Sequence, residues 1–165
     1  MIKEILDFIN SNKKQQFVFK NDLDPVSSLK MLSGDVIDES GIYMVFSNVI
    51  INDRYKHLHY HLNSKEQELV YFGKAGGTTK SGIRIKQGLK GRINNVVSDS
   101  VLGFKDVRRA VYWSSVMASH KIDELTVLYG YFVEPQRFED ILYTRLDEAA
   151  LFYPLMNKKR GRRAS

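Results

Sequence analysis

Two tyrosines stand beside glycines on two short apolar runs, Gly41-Ile42-Tyr43 and Tyr71-Phe72-Gly73. A basic, glycine-rich loop follows the second run from Lys74 to Gly82, and Arg92 stands a little further on in Gly88-Leu89-Lys90-Gly91-Arg92. A phenol releases its proton only near pH ~10, so a tyrosine serves as a base only where neighbouring cations stabilise the phenolate. Arginine supplies such a cation, and its planar fork matches the oxygens of a phosphate. Gly76, Gly77 and Gly82 let the loop backbone approach a ligand closely. Lys74, Lys80 and Arg84 then read as phosphate contacts on that loop, with Lys90 beside them. Taken singly, each residue has an ordinary reading: core aromatics, a solvated helix arginine, loop lysines kept for solubility. Taken together, in this order, they form a constellation that the rest of the chain must position.

The charge agrees with a polyanion partner. The chain of 165 residues carries a net charge of +6, and its sequence pI is near 9.4. That balance favours nucleic acid. The cations gather in two places, the loop and helix just named and the end of the chain, where Lys158, Lys159, Arg160, Arg162 and Arg163 crowd together. No apolar run is long enough to span a membrane. Acids interrupt the apolar positions of the first residues, so these do not open a signal peptide. The chain has no cysteine, which excludes disulfides and thiolate metal sites and fits a reducing cytoplasm.

The elements follow from hydrophobic spacing. Ile2, Ile5, Leu6 and Ile9 predict an amphipathic helix over 2–12, and Phe17-Val18-Phe19 a short strand. A short helix is expected from Ser27 to Leu32. Gly41 to Phe46 has almost no polar position, which predicts a central strand covered on both faces. Tyr55 to Leu62 alternates, with His57, His59 and His61 on one side and Leu58, Tyr60 and Leu62 on the other. This reads as a strand with a polar face. Leu69 to Phe72 is the next strand, and Ile85 to Val97 a helix weakened by Gly88 and Gly91. Val107 to Met117 reads as β-rich, and Leu125 to Val133 as a further strand. Phe138, Ile141, Leu142, Leu146, Ala149 and Phe152 predict a last helix to Tyr153, closed by Pro154.

These motifs resemble those of the GIY-YIG nucleases. Gly41-Ile42-Tyr43 stands as the first motif, and Tyr71-Phe72-Gly73 as the second with Phe in place of the usual Ile. Gly88-Leu89-Lys90-Gly91-Arg92 is similar to the segment that carries the family's arginine. Glu148, ahead of Ala149-Ala150-Leu151, looks like the metal-binding glutamate of a late helix. Pro154-Leu155-Met156-Asn157 is similar to the closing segment with its asparagine. The tyrosines are further apart than in the family's usual hairpin, so Asn48 to Lys65 would be an insertion. Glu148 and Asn157 are closer than usual, which makes Asp147 a competitor for the metal.

The resemblance implies an α/β (α+β) fold, a small antiparallel sheet flanked by helices. Residues 1–39 would be an N-terminal helical appendage, 40–157 the nuclease core and 158–165 a basic tail. It implies a metal-dependent DNA endonuclease, most like a type II restriction enzyme. Tyr43 would be the general base, Tyr71 its hydrogen-bonding partner, Arg92 the phosphate stabiliser and Glu148 the ligand of Mg²⁺ or Mn²⁺. Asn157, Lys158, Lys159 and Arg160 would join Lys74, Lys80, Arg84 and Lys90 in contacting double-stranded DNA. A homodimer would supply the second site that cutting both strands needs. The N-terminal helix and the insertion around Tyr55 to Tyr60 would then serve the dimer contact or base reading. The alternatives are a non-catalytic nucleic-acid-binding module with the same fold, and a repair or homing type of nuclease.

Overall fold

A computed structural model of the chain describes residues 1–20, 39–78, 81–85, 88–89 and 115–157. The expected helices over 27–32 and 85–97, apart from Ile85, Gly88 and Leu89, fall outside these residues, as does most of the β-rich stretch expected over 107–117. Among the described residues the architecture is an antiparallel sheet with helices against it. The elements are α1 (Lys3–Asn12), β1 (Gln16–Lys20), β2 (Gly41–Ser47), β3 (His59–Leu62), β4 (Lys65–Ala75), α2 (115–120), β5 (Glu124–Tyr131) and α3 (Pro135–Glu148). The five strands lie in the order β1-β5-β2-β4-β3, and every neighbouring pair is antiparallel.

β2 is the centre, and all seven of its residues are buried, as its unbroken apolar run predicts. Its side chains alternate between the two faces. Ile42, Met44 and Phe46 meet Ile5, Phe8 and Ile9 of α1 and Leu142, Tyr143 and Leu146 of α3. We call this the helical face. Tyr43 and Val45 point the other way, into a cluster with Phe19, Leu89, Met117, Val127 and Met156. This is the tyrosine face. α1 and β1 are therefore built into the same sheet and core as the motifs rather than set apart at residue 39.

Three elements depart from the pattern read in the sequence. Residues 56–58 form a 3₁₀ turn, so β3 begins only at His59. The alternation of His57, His59 and His61 therefore lies only partly on a strand. Residues 115–117 are helical, not extended. α3 ends at Glu148, short of Tyr153. Its end is a Schellman turn: Ala150 donates to the Asp147 carbonyl and Leu151 to the Leu146 carbonyl. Ala150 holds the left-handed conformation there, with φ +53°, a position where glycine is usual. Leu146 and Leu151 share one apolar cluster, the contact that accompanies this turn.

Candidate functional site

A β-bulge decides which face Tyr71 takes. Ser47 pairs with Glu68 and Phe46 with Leu69, but Val45 pairs with Tyr71, so Val70 has no partner in the ladder. The extra residue sends Val70 and Tyr71 to the same face, and both pack in the tyrosine-face cluster while Leu69 and Phe72 pack in the other. An unbroken register would have turned Tyr71 toward the helices. With the bulge, Gly73 stands opposite Tyr43, and Tyr71 is its diagonal neighbour. The ring centroids of Tyr43 and Tyr71 are 5.6 Å apart.

Gly73 makes this approach possible. A Cβ there would lie 2.8 Å from Tyr71 Oη and Cε2 and 3.1 Å from Tyr43 Cζ. The Tyr71 ring is thus laid back over the glycine of its own motif. Gly41 plays the matching part at the start of β2. A Cβ there would lie 2.2 Å from the Gly130 carbonyl oxygen and 2.4 Å from Leu89 Cδ1. Leu89 is fully buried, and its N–H donates to the Glu39 carbonyl. Both motif glycines are therefore needed for contact, and neither has a left-handed φ.

Tyr43 is 2% exposed. Among the described residues its hydroxyl has no hydrogen-bond partner. Tyr129 of β5 flanks Tyr43 on its other side. Burial pushes the Tyr129 phenol up from its usual range, and the neighbouring Tyr131 pushes it the same way to a smaller degree. Tyr129 and Tyr131 were readable as tyrosines two apart on one strand, and sequence reasoning passed them over.

The other expected site residues fall in different places. Lys74 pairs with Ile42 near the end of β4, and Arg84, exposed, pairs with Thr78 in an isolated antiparallel bridge. Arg92, Lys80, Lys90, Lys158, Lys159 and Arg160 lie outside the described residues. Asn157 is engaged with the fold. Its amide accepts from the Phe72 N–H at 3.0 Å and donates to the Phe72 carbonyl at 2.9 Å and to the Tyr143 hydroxyl at 3.0 Å. Met156 donates to the Val70 carbonyl at 2.8 Å. The closing segment thus covers the β4 edge that the short β3 leaves open. Asp147 accepts from the Tyr153 hydroxyl.

Glu148 is exposed at the last turn of α3, a helix that packs on the face opposite the tyrosine pair. The structure does not bring it to them. The carboxylate that sequence reasoning missed is Glu139, which is 8% exposed. It belongs to the buried stripe of α3 with Pro135, Leu142, Tyr143 and Leu146. Pro135 lies against Gly77, and the Tyr143 ring lies 4.9 Å from Phe72. Glu139 stands between these two positions on the helix, on the side of α3 that packs against the helical face. The rise from there to Glu148 is roughly 14 Å along the helix axis. The signal was a carboxylate falling at helical spacing within an apolar stripe.

The side chains of the expected insertion turn inward. His57 Nε2 meets the Phe152 carbonyl at 2.9 Å, and Tyr55 stacks on Phe152 at 4.8 Å between centroids. The Tyr60 hydroxyl donates to the His57 carbonyl and accepts from the Ile2 N–H. His59 sits between Glu66 and Glu68. Of these four, His57, His59 and Tyr60 are buried and Tyr55 is half-buried. Among the described residues no helix is long and apolar enough to cross a membrane. No family model, no curated protein and no solved structure matches the chain.

Proposed function

We propose that this chain is a DNA endonuclease of the GIY-YIG type that hydrolyses phosphodiester bonds in the manner of a type II restriction enzyme. One observation carries the reading. Two tyrosines from separate strands meet over a motif glycine, and the meeting depends on a bulge. Bulges are over-represented next to active sites, where they re-aim a side chain. Tyr43 presents a hydroxyl that the described fold does not use. In this reading Tyr43 Oη takes the proton of the attacking water, and Tyr71 orients that hydroxyl. Arg92 faces the phosphate with its planar fork. Lys74 and Arg84, near the end of β4, hold the DNA backbone.

The reading takes Mg²⁺ as cofactor. Among the described residues no group of three His, Asp or Glu side chains is arranged to hold a metal ion. A bound ion would then rest on one carboxylate, with water and phosphate oxygens completing its shell, an arrangement that Mg²⁺ accepts. When bound, the ion supplies positive charge for the phosphate and the leaving oxygen. That carboxylate is one of two candidates on α3, Glu139 in its buried stripe or Glu148 at its exposed end.

Supercoiled plasmid with Mg²⁺ tests the activity. Nicked and linear products that disappear with a chelator are expected, and binding without cleavage would leave only the non-catalytic alternative. Cutting both strands takes two such sites, so two copies per DNA site are expected by light scattering. A single copy that still makes paired breaks would overturn the dimer.

A further inference from the structure

A cavity of about 810 Å³ opens beside Glu68, and neither Gly73 nor the two motif tyrosines line it. Its size lies within the range of small-molecule sites, roughly 300–1,000 Å³. Glu68 reaches it from β4 and is 2% exposed. One oxygen of that carboxylate, Oε1, is fully used. It accepts from the Ile51 N–H at 3.1 Å and the Asn52 N–H at 3.0 Å, and it faces His59 Nε2 at 3.3 Å. Oε2 has no such contact among the described residues. The cavity wall includes the stacked Tyr55 and Phe152 rings, inclined by 17°, and Tyr153. Asp147 is a second carboxylate in the lining.

The sign of this cavity is opposite to that of the chain. Among the described residues its lining holds two carboxylates, one histidine, His120, and no lysine or arginine, in a protein of net charge +6. Two carboxylates disfavour a phosphate or a DNA backbone here. A hard metal ion needs several oxygens, and no such group converges among the described residues. A flat cation with N–H donors satisfies every element. It can donate to the remaining Glu68 oxygen in a charge-assisted bond and lie against the aromatic wall. Its weak hydration lets it enter an apolar site more readily than an ammonium can.

We propose that this cavity binds an amidinium or guanidinium group, donated to Glu68 and stacked on Tyr55 and Phe152. The group comes either from a free small molecule or from an arginine side chain of a polypeptide. The site is separate from the tyrosine pair and does not depend on the nuclease reading.

The test is titration of the intact protein with benzamidine, followed by amide NMR, beside benzamide as a neutral isostere. Saturable binding that shifts the Ile51 and Asn52 amides is expected, with benzamide at least about tenfold weaker because it lacks the charge. Glu68→Gln keeps an acceptor for the two amides and should lose a similar factor. Should that variant not fold, Phe152→Ala, at an exposed position, is expected to weaken benzamidine several-fold without unfolding. Free arginine compared with an arginine-bearing peptide separates the sources: equal affinity marks a small guanidinium ligand, and tighter peptide binding marks a polypeptide. Equal binding of benzamide and benzamidine, shifts confined to other regions, or an absence of saturation at millimolar concentration would overturn the proposal.

Discussion

Tyr60, against the helical face, is 1% exposed, and its hydroxyl is used twice, by the Ile2 N–H and the His57 carbonyl. Tyr43, on the tyrosine face, is 2% exposed, and no described residue uses its hydroxyl. The two side chains share chemistry and burial and differ in what becomes of the oxygen. A buried tyrosine that serves the fold has its hydroxyl satisfied by backbone groups. A core that needed only the ring at position 43 could take phenylalanine, as it does at Phe46 and Phe72. The difference teaches that burial alone does not mark a structural tyrosine; the fate of the hydroxyl does. The same contrast separates Asn157, whose amide is consumed by Phe72, from residues presented to a substrate.

The comparison can be broken or sharpened by substitution. The largest effect is expected at α3. Glu139→Gln and Glu148→Gln sort the two candidates: the carboxylate that holds the metal should lose Mg²⁺-dependent cleavage on the order of a hundredfold, and the other should stay within about twofold. Single-turnover cleavage of plasmid reads both; a rate kept by both variants would take the metal off α3. Next comes Gly73→Ala. Its new Cβ would press on both tyrosine rings, and a loss of about 1–3 kcal/mol is expected in urea unfolding, with cleavage impaired as well.

Tyr60→Phe probes the other side of the comparison. It strands the Ile2 N–H and the His57 carbonyl, so a loss of about 1–3 kcal/mol is expected with cleavage per folded molecule unchanged. The same residue carries a pH signature. Burial pushes its phenol from the usual 10.0 up to about 12, against a smaller lowering by the Ile2 amide. Below pH 10 both the folded and unfolded chains hold the proton, and the stabilisation is complete. Between 10 and about 12 the unfolded chain loses it first. Stability should therefore fall across that window by on the order of 2–3 kcal/mol, a loss missing from Tyr60→Phe. Chemical denaturation at stepped alkaline pH measures it. The smallest effect is expected at Ala150→Gly, which relieves the left-handed φ at the end of α3. It should raise stability by about 1 kcal/mol and leave cleavage untouched.

Much of this was legible along the chain, and the failures share a cause. α1, β2 and β5 follow from periodicity, because each buries one stripe or an unbroken run. Tyr43, Tyr71 and Gly73 were readable as neighbours from their strand-and-glycine settings. The bulge at Val70 was not, because one extra residue in a ladder leaves no trace in an apolar run. The 3₁₀ turn at 56–58 hid behind a perfect alternation of histidines and apolar residues. The end of α3 was hidden because an alanine holds a position that usually announces itself as glycine. Glu139 went unnoticed because a carboxylate within an apolar stripe reads as an interruption, whereas Glu148 stood in a more familiar local pattern. Each miss was decided by a tertiary contact or by a single backbone conformation.

The most direct measurement is single-turnover DNA cleavage by Tyr43→Phe, set beside its thermal unfolding and beside Tyr60→Phe. The substitution removes one oxygen and keeps the ring that packs against Tyr71. If Tyr43 takes the proton of the attacking water, cleavage should fall by about 10²–10⁴-fold while the melting temperature stays at the wild-type value. Cleavage retained by Tyr43→Phe, with a lowered melting temperature like that of Tyr60→Phe, would make Tyr43 a second structural tyrosine and contradict the account.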